Sequence, residues 1–202
     1  MGRREANLAM WFLGIDLAGS EKQKTGVCLL NEGLIVKTWV FYPNEEILKL
    51  VKSLDKKVRI IAIDAPLSLP SGRETIDDRN GPHFRQCDRD LRKLGIPFFP
   101  ITLGPMRLLT KRGMELKEKL EKDFVVIETY PGGSADLLGL PRSKNIQGLT
   151  YGLRRMGVRG IRKEISRDEA DAILSALASK AFAEKRAKII GDRKEGQIVL
   201  CQ

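Results

Sequence analysis

The chain has 202 residues, 42% of them hydrophobic and 31% charged, which predicts one globular domain whose core needs no disulfide or structural metal. Its single histidine, His83, excludes two-histidine zinc chemistry of the HExxH type. Lysine and arginine outnumber the acidic residues by 36 to 26, and the net charge of +10 favours polyanionic partners such as DNA or RNA. A basic surface that serves only solubility is the alternative explanation of this charge.

The cysteines and the hydropathy together predict a cytoplasmic protein. Cys28, Cys87 and Cys201 are odd in number and lack CxxC spacing, which is typical of a reducing compartment and argues against a zinc site. No apolar run approaches the ~18 residues of a membrane span. We therefore expect no membrane segment, and nothing in the sequence indicates the oligomeric state.

Hydrophobic patterning predicts five strands, the first three of them antiparallel neighbours joined by short turns, at residues 10–17, 26–30, 34–42, 58–64 and 124–128. Helices are predicted at residues 44–54, 87–94, 107–123, 132–140 and 166–188. Asn44 is expected to cap the first helix, and Ser166 with Glu169 forms a capping box at the start of the last one. A further short strand is predicted at 196–201. This order predicts an α/β fold with a mixed sheet, antiparallel and then parallel, flanked by helices.

Two segments stand apart from this pattern. Residues 66–105 are rich in proline, glycine and arginine, and they are too long and polar for a simple connector. We expect them to form a surface insertion after the fourth strand, within a single domain that spans residues 1–202. Residues 141–160 are basic and contain several glycines, and no helix or strand is assigned to them.

Carboxylates follow the apolar runs of three predicted strands. Asp16, Asp64 and Glu128 occupy these positions, while Asp168 and Asp171 lie three residues apart and so share a face of the last helix. A buried lone carboxylate is unfavourable unless it is paired, hydrogen-bonded or bound to metal. The set therefore predicts one divalent-metal site.

Each of these acids also has a structural explanation. Asp16 could instead stabilise an Asx turn before the glycine loop that follows it. Asp64 could belong to a turn before Pro66. Asp168 stands in the first turn of a helix, where the helix dipole alone favours an acid. Glu128 is explained equally well as a metal ligand or as the partner of an arginine from residues 66–105.

The order of elements and acids resembles the RNase H-like superfamily, and more narrowly the DUF429 family, described as predicted nucleases of RNase H fold. The matching segments are residues 14–18 (GIDLA), 63–67 (IDAPL), 87–92 (CDRDLR), 128–131 (ETYP) and 168–172 (DEADA). The resemblance implies an RNase H-like fold more directly than an activity, because related folds also include sugar kinases and chaperones.

Phosphodiester hydrolysis needs an activated water and neutralisation of the leaving oxygen, and two divalent cations ~3.5–4 Å apart provide both. Oxygen ligands of this kind suit Mg²⁺ or Mn²⁺. The hypothesis is that Asp16, Asp64 and Asp171 bind the metal, with Asp16 bridging from the central strand. Asp168 and Glu128 complete the candidate catalytic set.

Basic residues flank this set in the sequence, and we expect them to bind substrate phosphates. The candidates are Lys24, Arg89, Arg92 and Arg154. The leading hypothesis is a metal-dependent nuclease acting on DNA or RNA. Two alternatives stay open, namely a non-catalytic nucleic-acid-binding protein of the same fold, and a nucleotide-dependent phosphotransferase suggested by the glycine loop after Asp16.

Overall fold

A computed structural model describes residues 10–54 and 58–202 of the chain. Within these residues the strands are β1 (Trp11–Asp16), β2 (Thr25–Asn31), β3 (Val36–Phe41), β4 (Val58–Asp64), β5 (Val125–Thr129), β6 (Lys188–Asp192) and β7 (Gly196–Leu200). They form one mixed sheet in the order β3-β2-β1-β4-β5-β7-β6. Because β1, β4, β5 and β7 are parallel, their last residues meet at one edge of the sheet, here called the carboxyl edge.

Helices cover both faces of this sheet. They are α1 (Asn44–Ser53), α2 (Gln86–Lys93), α3 (Gly104–Leu120), α4 (Pro131–Leu137), α5 (Ile146–Arg155) and α6 (Arg167–Ala183), with a 3₁₀ turn at Ser143–Asn145. In the described part of the chain, each helix is too short or too polar to cross a membrane.

The alternation of side chains along β1 sorts them between two helical layers. Phe12 is buried with residues of α5 and α6, whereas Leu13 and Ile15 are buried with residues of α1 and α3. Successive side chains of a strand point to opposite faces. Asp16 therefore belongs to the same face as Phe12, the one that α6 covers.

The expected mixed α/β architecture is confirmed, but the prediction of five strands is wrong. β7 lies in the segment where a further short strand was expected, and β6 begins at the residue where the last helix was expected to end. That helix ends earlier, at Ala183, and β6 pairs with β7 as an antiparallel hairpin. A helix that the pattern did not predict, α5, occupies part of residues 141–160.

Two local predictions have different outcomes. The capping box of Ser166 and Glu169 is present at the start of α6. Asn44 does not cap α1, because Pro43 holds the cap position. The buried Asn44 side chain instead accepts a hydrogen bond from Nε of Arg112 at 2.9 Å.

The segment 66–105 contributes to the core through α2. Cys87 and Leu91 are buried against Ile190, Ile198 and Leu200 of the two last strands. The helix thus covers the end of the sheet formed by β7 and β6.

Candidate functional site

Asp16 and Asp64 lie side by side at the carboxyl edge. β1 and β4 are parallel neighbours, and their register pairs the two residues directly. Paired positions on adjacent strands project to the same face. The two carboxyl groups are hydrogen-bonded partners, so the protonation of one affects the pKa of the other.

The pKa of each member of this pair is raised well above its ordinary value. For Asp16 the largest cause is burial, followed by repulsion from Asp64, Asp171 and Asp168. For Asp64 the causes are burial and then the charge of Asp171, while the hydrogen bond from Asp16 opposes them. Both side chains keep partial contact with solvent at the sheet edge. The site is therefore a concentration of negative charge that a cation would stabilise.

Two glycines allow α6 to approach the sheet closely enough to complete this cluster. A Cβ on Gly14 would lie 2.2 Å from the carbonyl oxygen of Ala172, and a Cβ on Gly26 would lie 2.1 Å from that of Asp168. Only glycine fits such contacts between backbones. The first two turns of α6, which carry Asp168 and Asp171, consequently rest on the ends of β1 and β2.

Asp171 titrates close to neutrality. Burial raises its pKa to about 6, and the charge of Asp168 contributes in the same direction. A hydrogen bond with Ser143 and the nearby charge of Arg142 limit the rise. The pKa of Asp168 is also raised by burial, although Lys24 opposes the shift.

An open cavity of about 600 Å³ lies beside Asp16 and Asp168. Its rim carries Lys22, Lys24 and Tyr42, and the two lysines are exposed. The cavity thus combines carboxylates at its base with positive charge at its mouth, an arrangement that suits a phosphate held by a cation.

Arg112 of α3 fixes the walls of this cavity. Its buried guanidinium donates to the carbonyl oxygens of Ala18 at 2.7 Å, Ser20 at 3.1 Å and Tyr42 at 2.7 Å. These bonds tie the loop after Asp16 to the start of α1. The sequence-based reasoning missed this role, although Arg112 lies three residues after Leu109 and four before Leu116 on the apolar stripe of its helix.

Glu128 lies next to the acidic cluster, and its charge helps to raise the pKa of Asp64, but its own carboxylate has an arginine partner. It is paired in register with Ile63, not Asp64, and therefore projects to the opposite face of the sheet. There Arg85 donates to both of its oxygens at 2.7 Å, and the backbone N–H of Leu67 donates at 2.8 Å. Arg85 also bonds Asp88, so the three residues form a buried ionic network. This outcome matches the alternative that an arginine of residues 66–105 neutralises Glu128.

The candidate phosphate-binding residues are scattered. Lys24 lies at the mouth of the cavity beside Asp16 and Asp168. Arg89 is tied to Glu195 at 3.0 Å, and Arg92 lies over the ring of Phe84 at 4.8 Å, both on α2. Arg154 stands near the end of α5, and its guanidinium donates to the carbonyl oxygen of Ile161 at 3.4 Å. Among the described residues it forms no salt bridge with an acid of the cluster.

The donor set fits a hard divalent cation with incomplete protein coordination. Among residues 10–54 and 58–202, no group of three or more His, Cys, Asp or Glu side chains is arranged as a ready metal site. Mg²⁺ commonly uses only one or two carboxylates and completes its shell with water and substrate phosphate. Asp16 and Asp64 supply such a pair, with Asp171 close enough to raise the pKa of both.

The fold and the acidic cluster define an α/β protein with a carboxylate-rich site at the carboxyl edge of a mixed sheet. The family model that matches the chain, over residues 14–195, is described as a protein of unknown function, DUF429. The chain belongs to the DUF429 family. No curated protein matches it.

Proposed function

We propose that the protein is a divalent-metal-dependent nuclease of the RNase H-like type, hydrolysing phosphodiester bonds of DNA or RNA with Mg²⁺ or Mn²⁺. The observation that carries the proposal is the register pair Asp16 and Asp64, two carboxyl groups on adjacent parallel strands, with the repulsion of Asp64 contributing to the raised pKa of Asp16. No cationic side chain forms a salt bridge with this pair in the described part of the chain. Glu128, by contrast, has Arg85 as a direct partner.

Each residue of the site has a distinct task in this proposal. Asp16 and Asp64 hold the cation, with Asp171 and Asp168 adding negative charge around it. A bound divalent cation neutralises phosphate charge and lowers the pKa of water at the site. Lys24 attracts the phosphate from the cavity mouth, and Arg112 keeps the loop that presents Lys24 in place. The net charge of +10 favours association with a polyanion.

The direct test compares wild-type protein with Asp16→Asn on labelled single strands, duplexes and RNA–DNA hybrids, in Mg²⁺, Mn²⁺ and chelator. We expect metal-dependent cleavage by the wild type and a loss of at least a hundredfold in the variant. Asparagine retains the size of aspartate but lacks its charge, so the fold is kept. Thermal melting provides a second readout, because Mg²⁺ is expected to raise the melting temperature of the wild type and not of the variant.

The matched control is Asp123→Asn, an exposed acid just before β5 and therefore at the other end of the sheet. It removes the same charge and should cleave normally. Equal cleavage by wild type and Asp16→Asn would contradict the proposal. Strong, salt-sensitive binding without cleavage, unchanged by Asp16→Asn, would favour a non-catalytic nucleic-acid-binding protein.

A further inference from the structure

A second cavity adjoins the acidic pair on its other side. It has a volume of about 160 Å³, and its walls are mainly apolar and aromatic. Phe98, Phe99, Tyr130 and Met106 line it, and Asp64 stands at its boundary. Asp64 therefore borders this cavity while its partner Asp16 borders the cavity that carries Lys24.

Most of the polar side chains that also line this cavity are already hydrogen-bonded to other groups of the protein. Arg85, Asp88 and Glu128 bond one another at 2.7–3.2 Å. The hydroxyl of Tyr130 donates to the carbonyl of Pro97 at 2.7 Å and accepts from Arg142 at 3.1 Å. In the described residues no buried side-chain polar atom lacks a partner. An occupant would thus be held by apolar contact and stacking, not by hydrogen bonds to these groups.

The size and the surface of the cavity suit one flat ring. An apolar protein cavity of ~150 Å³ accommodates a benzene molecule. Phe99 is 67% exposed, the highest value among the exposed large hydrophobic side chains of the described residues, so most of its surface is accessible to a ligand. Phe98 is held in place by an edge-to-face contact with Phe84, with ring centroids 5.9 Å apart. Arg92 lies over the ring of Phe84 and so brings positive charge close to Phe98 and this side of the cavity.

We propose that this cavity receives an unpaired nucleobase of the strand whose phosphate lies at Asp16 and Asp64. The inference rests on the proposed function and specifies its substrate as a single strand or a locally opened duplex. A base inside a duplex is stacked on its neighbours and cannot enter a pocket without being extruded. Aromatic side chains stack on bases with little regard to sequence. Because Arg85, Glu128 and Tyr130 already bond other protein groups, we expect the cavity to discriminate little among bases.

The test uses the Asp16→Asn protein, in which one repulsive carboxylate and the expected cleavage are both removed. Its affinity is measured for a fluorescent dT12 strand and for a twelve-residue strand of abasic sites with the same phosphates. We expect dT12 to bind roughly tenfold more tightly than the abasic strand, because one stacking contact between a base and an aromatic side chain contributes about that much. Phe99→Ala should abolish that preference while leaving the affinity for the abasic strand unchanged. Because Phe99 is exposed, this variant should melt at the same temperature as its parent.

Tyr151→Ala is the matched control, since Tyr151 is 63% exposed but lies on α5, outside this cavity. It should keep the preference for dT12. Equal affinity for the two strands, or a preference that survives Phe99→Ala, would overturn the base pocket. Absence of binding to either strand would overturn it as well. In that case, Mg²⁺-dependent hydrolysis of bis(p-nitrophenyl) phosphate by the wild type, lost in Asp16→Asn, would still leave a phosphodiesterase at the acidic site.

Discussion

At the scale of single residues, Asp171 reduces the stability of the fold above neutral pH. Its pKa in the folded protein is about 6, above its ordinary value, so the folded state binds this proton more tightly than the unfolded chain does. The stabilisation is complete below about pH 4 and is lost as the pH rises through about 6. Asp16 and Asp64 shift in the same direction and add to the effect.

We expect Asp171→Asn to raise the free energy of unfolding by about 2 kcal/mol at pH 8 in chelator, and to leave it almost unchanged at pH 4. The neutral side chain removes a buried repulsion that exists only when Asp171 is ionised. Chemical denaturation at the two pH values measures the difference. Asp123→Asn, which removes an exposed charge, should change neither value. A gain of equal size at both pH values would show that charge is not the cause.

Glu128 provides the opposite case, an acid whose charge the fold requires. Glu128→Gln leaves Arg85 buried with an incomplete partner, and breaking such a pair costs about 3–5 kcal/mol. We expect the melting temperature to fall by roughly 10 °C, given the size of the chain. Replacing both residues, as Arg85→Met with Glu128→Leu, should recover much of that loss. A stable Glu128→Gln protein that lacks only metal-dependent activity would instead make Glu128 a functional residue.

At the scale of elements, the site depends on how closely α6 lies on β1. Gly14→Ala places a methyl group 2.2 Å from the carbonyl oxygen of Ala172, so the helix must move. Overpacking of this kind costs about 1–3 kcal/mol, and more when backbone opposes backbone. We expect a loss at or above the upper end of that range, together with loss of the Mg²⁺-induced rise in melting temperature, because Asp171 moves with the helix.

The comparison variant is Gly104→Ala, at the start of α3. A Cβ at this position meets no atom within 4 Å, and the backbone does not need glycine there. Its melting temperature should match that of the wild type. If Gly14→Ala proved equally harmless, the close approach of α6 would not be what positions the acids.

The sequence predicted the positions of those strands and helices whose apolar residues recur with a clear period. The first four strands and the capped start of α6 lie within two residues of the predicted positions. α5 was missed because Gly148 and Gly152 lower the helix propensity of a segment whose only strong signal is the spacing of Leu149 and Leu153. β6 was missed because its few apolar residues follow a helix directly, and only the pairing with β7 defines it as a strand.

The arrangement of the candidate site also depends on contacts between elements that the sequence does not reveal. Asp16, Asp64 and Glu128 all lie at the carboxyl edge, since parallel neighbouring strands end together. The sequence alone does not give the register between strands, and a shift of one residue changes the face of the sheet. That is why Glu128 was grouped with Asp16 and Asp64, although it pairs with Ile63 and meets Arg85 on the opposite side.

At the scale of the whole molecule, the position of the positive charge matters more than its sum. Lys24 lies at the mouth of the acidic cavity, whereas the guanidinium of Arg154 donates to the carbonyl oxygen of Ile161, in the segment between α5 and α6. Exposed charges farther apart than the Debye length of ~8 Å at physiological ionic strength are largely screened from one another. A basic side chain therefore strengthens the binding of a phosphate mainly where that phosphate passes close to it.

The two residues therefore provide a matched pair for locating the nucleic-acid track, because both are exposed and carry one positive charge. We expect Lys24→Ala to weaken binding of a single strand and to lower the slope of log affinity against log salt concentration by about 1, as the loss of one phosphate contact does. Arg154→Ala should leave that slope unchanged. Titrations from about 50 to 200 mM salt resolve such a difference, since each contact contributes close to one unit of slope. A reduced slope for Arg154→Ala with none for Lys24→Ala would mean that the strand runs past the end of α5, and the cavity beside Asp16 would then not be where the backbone is held.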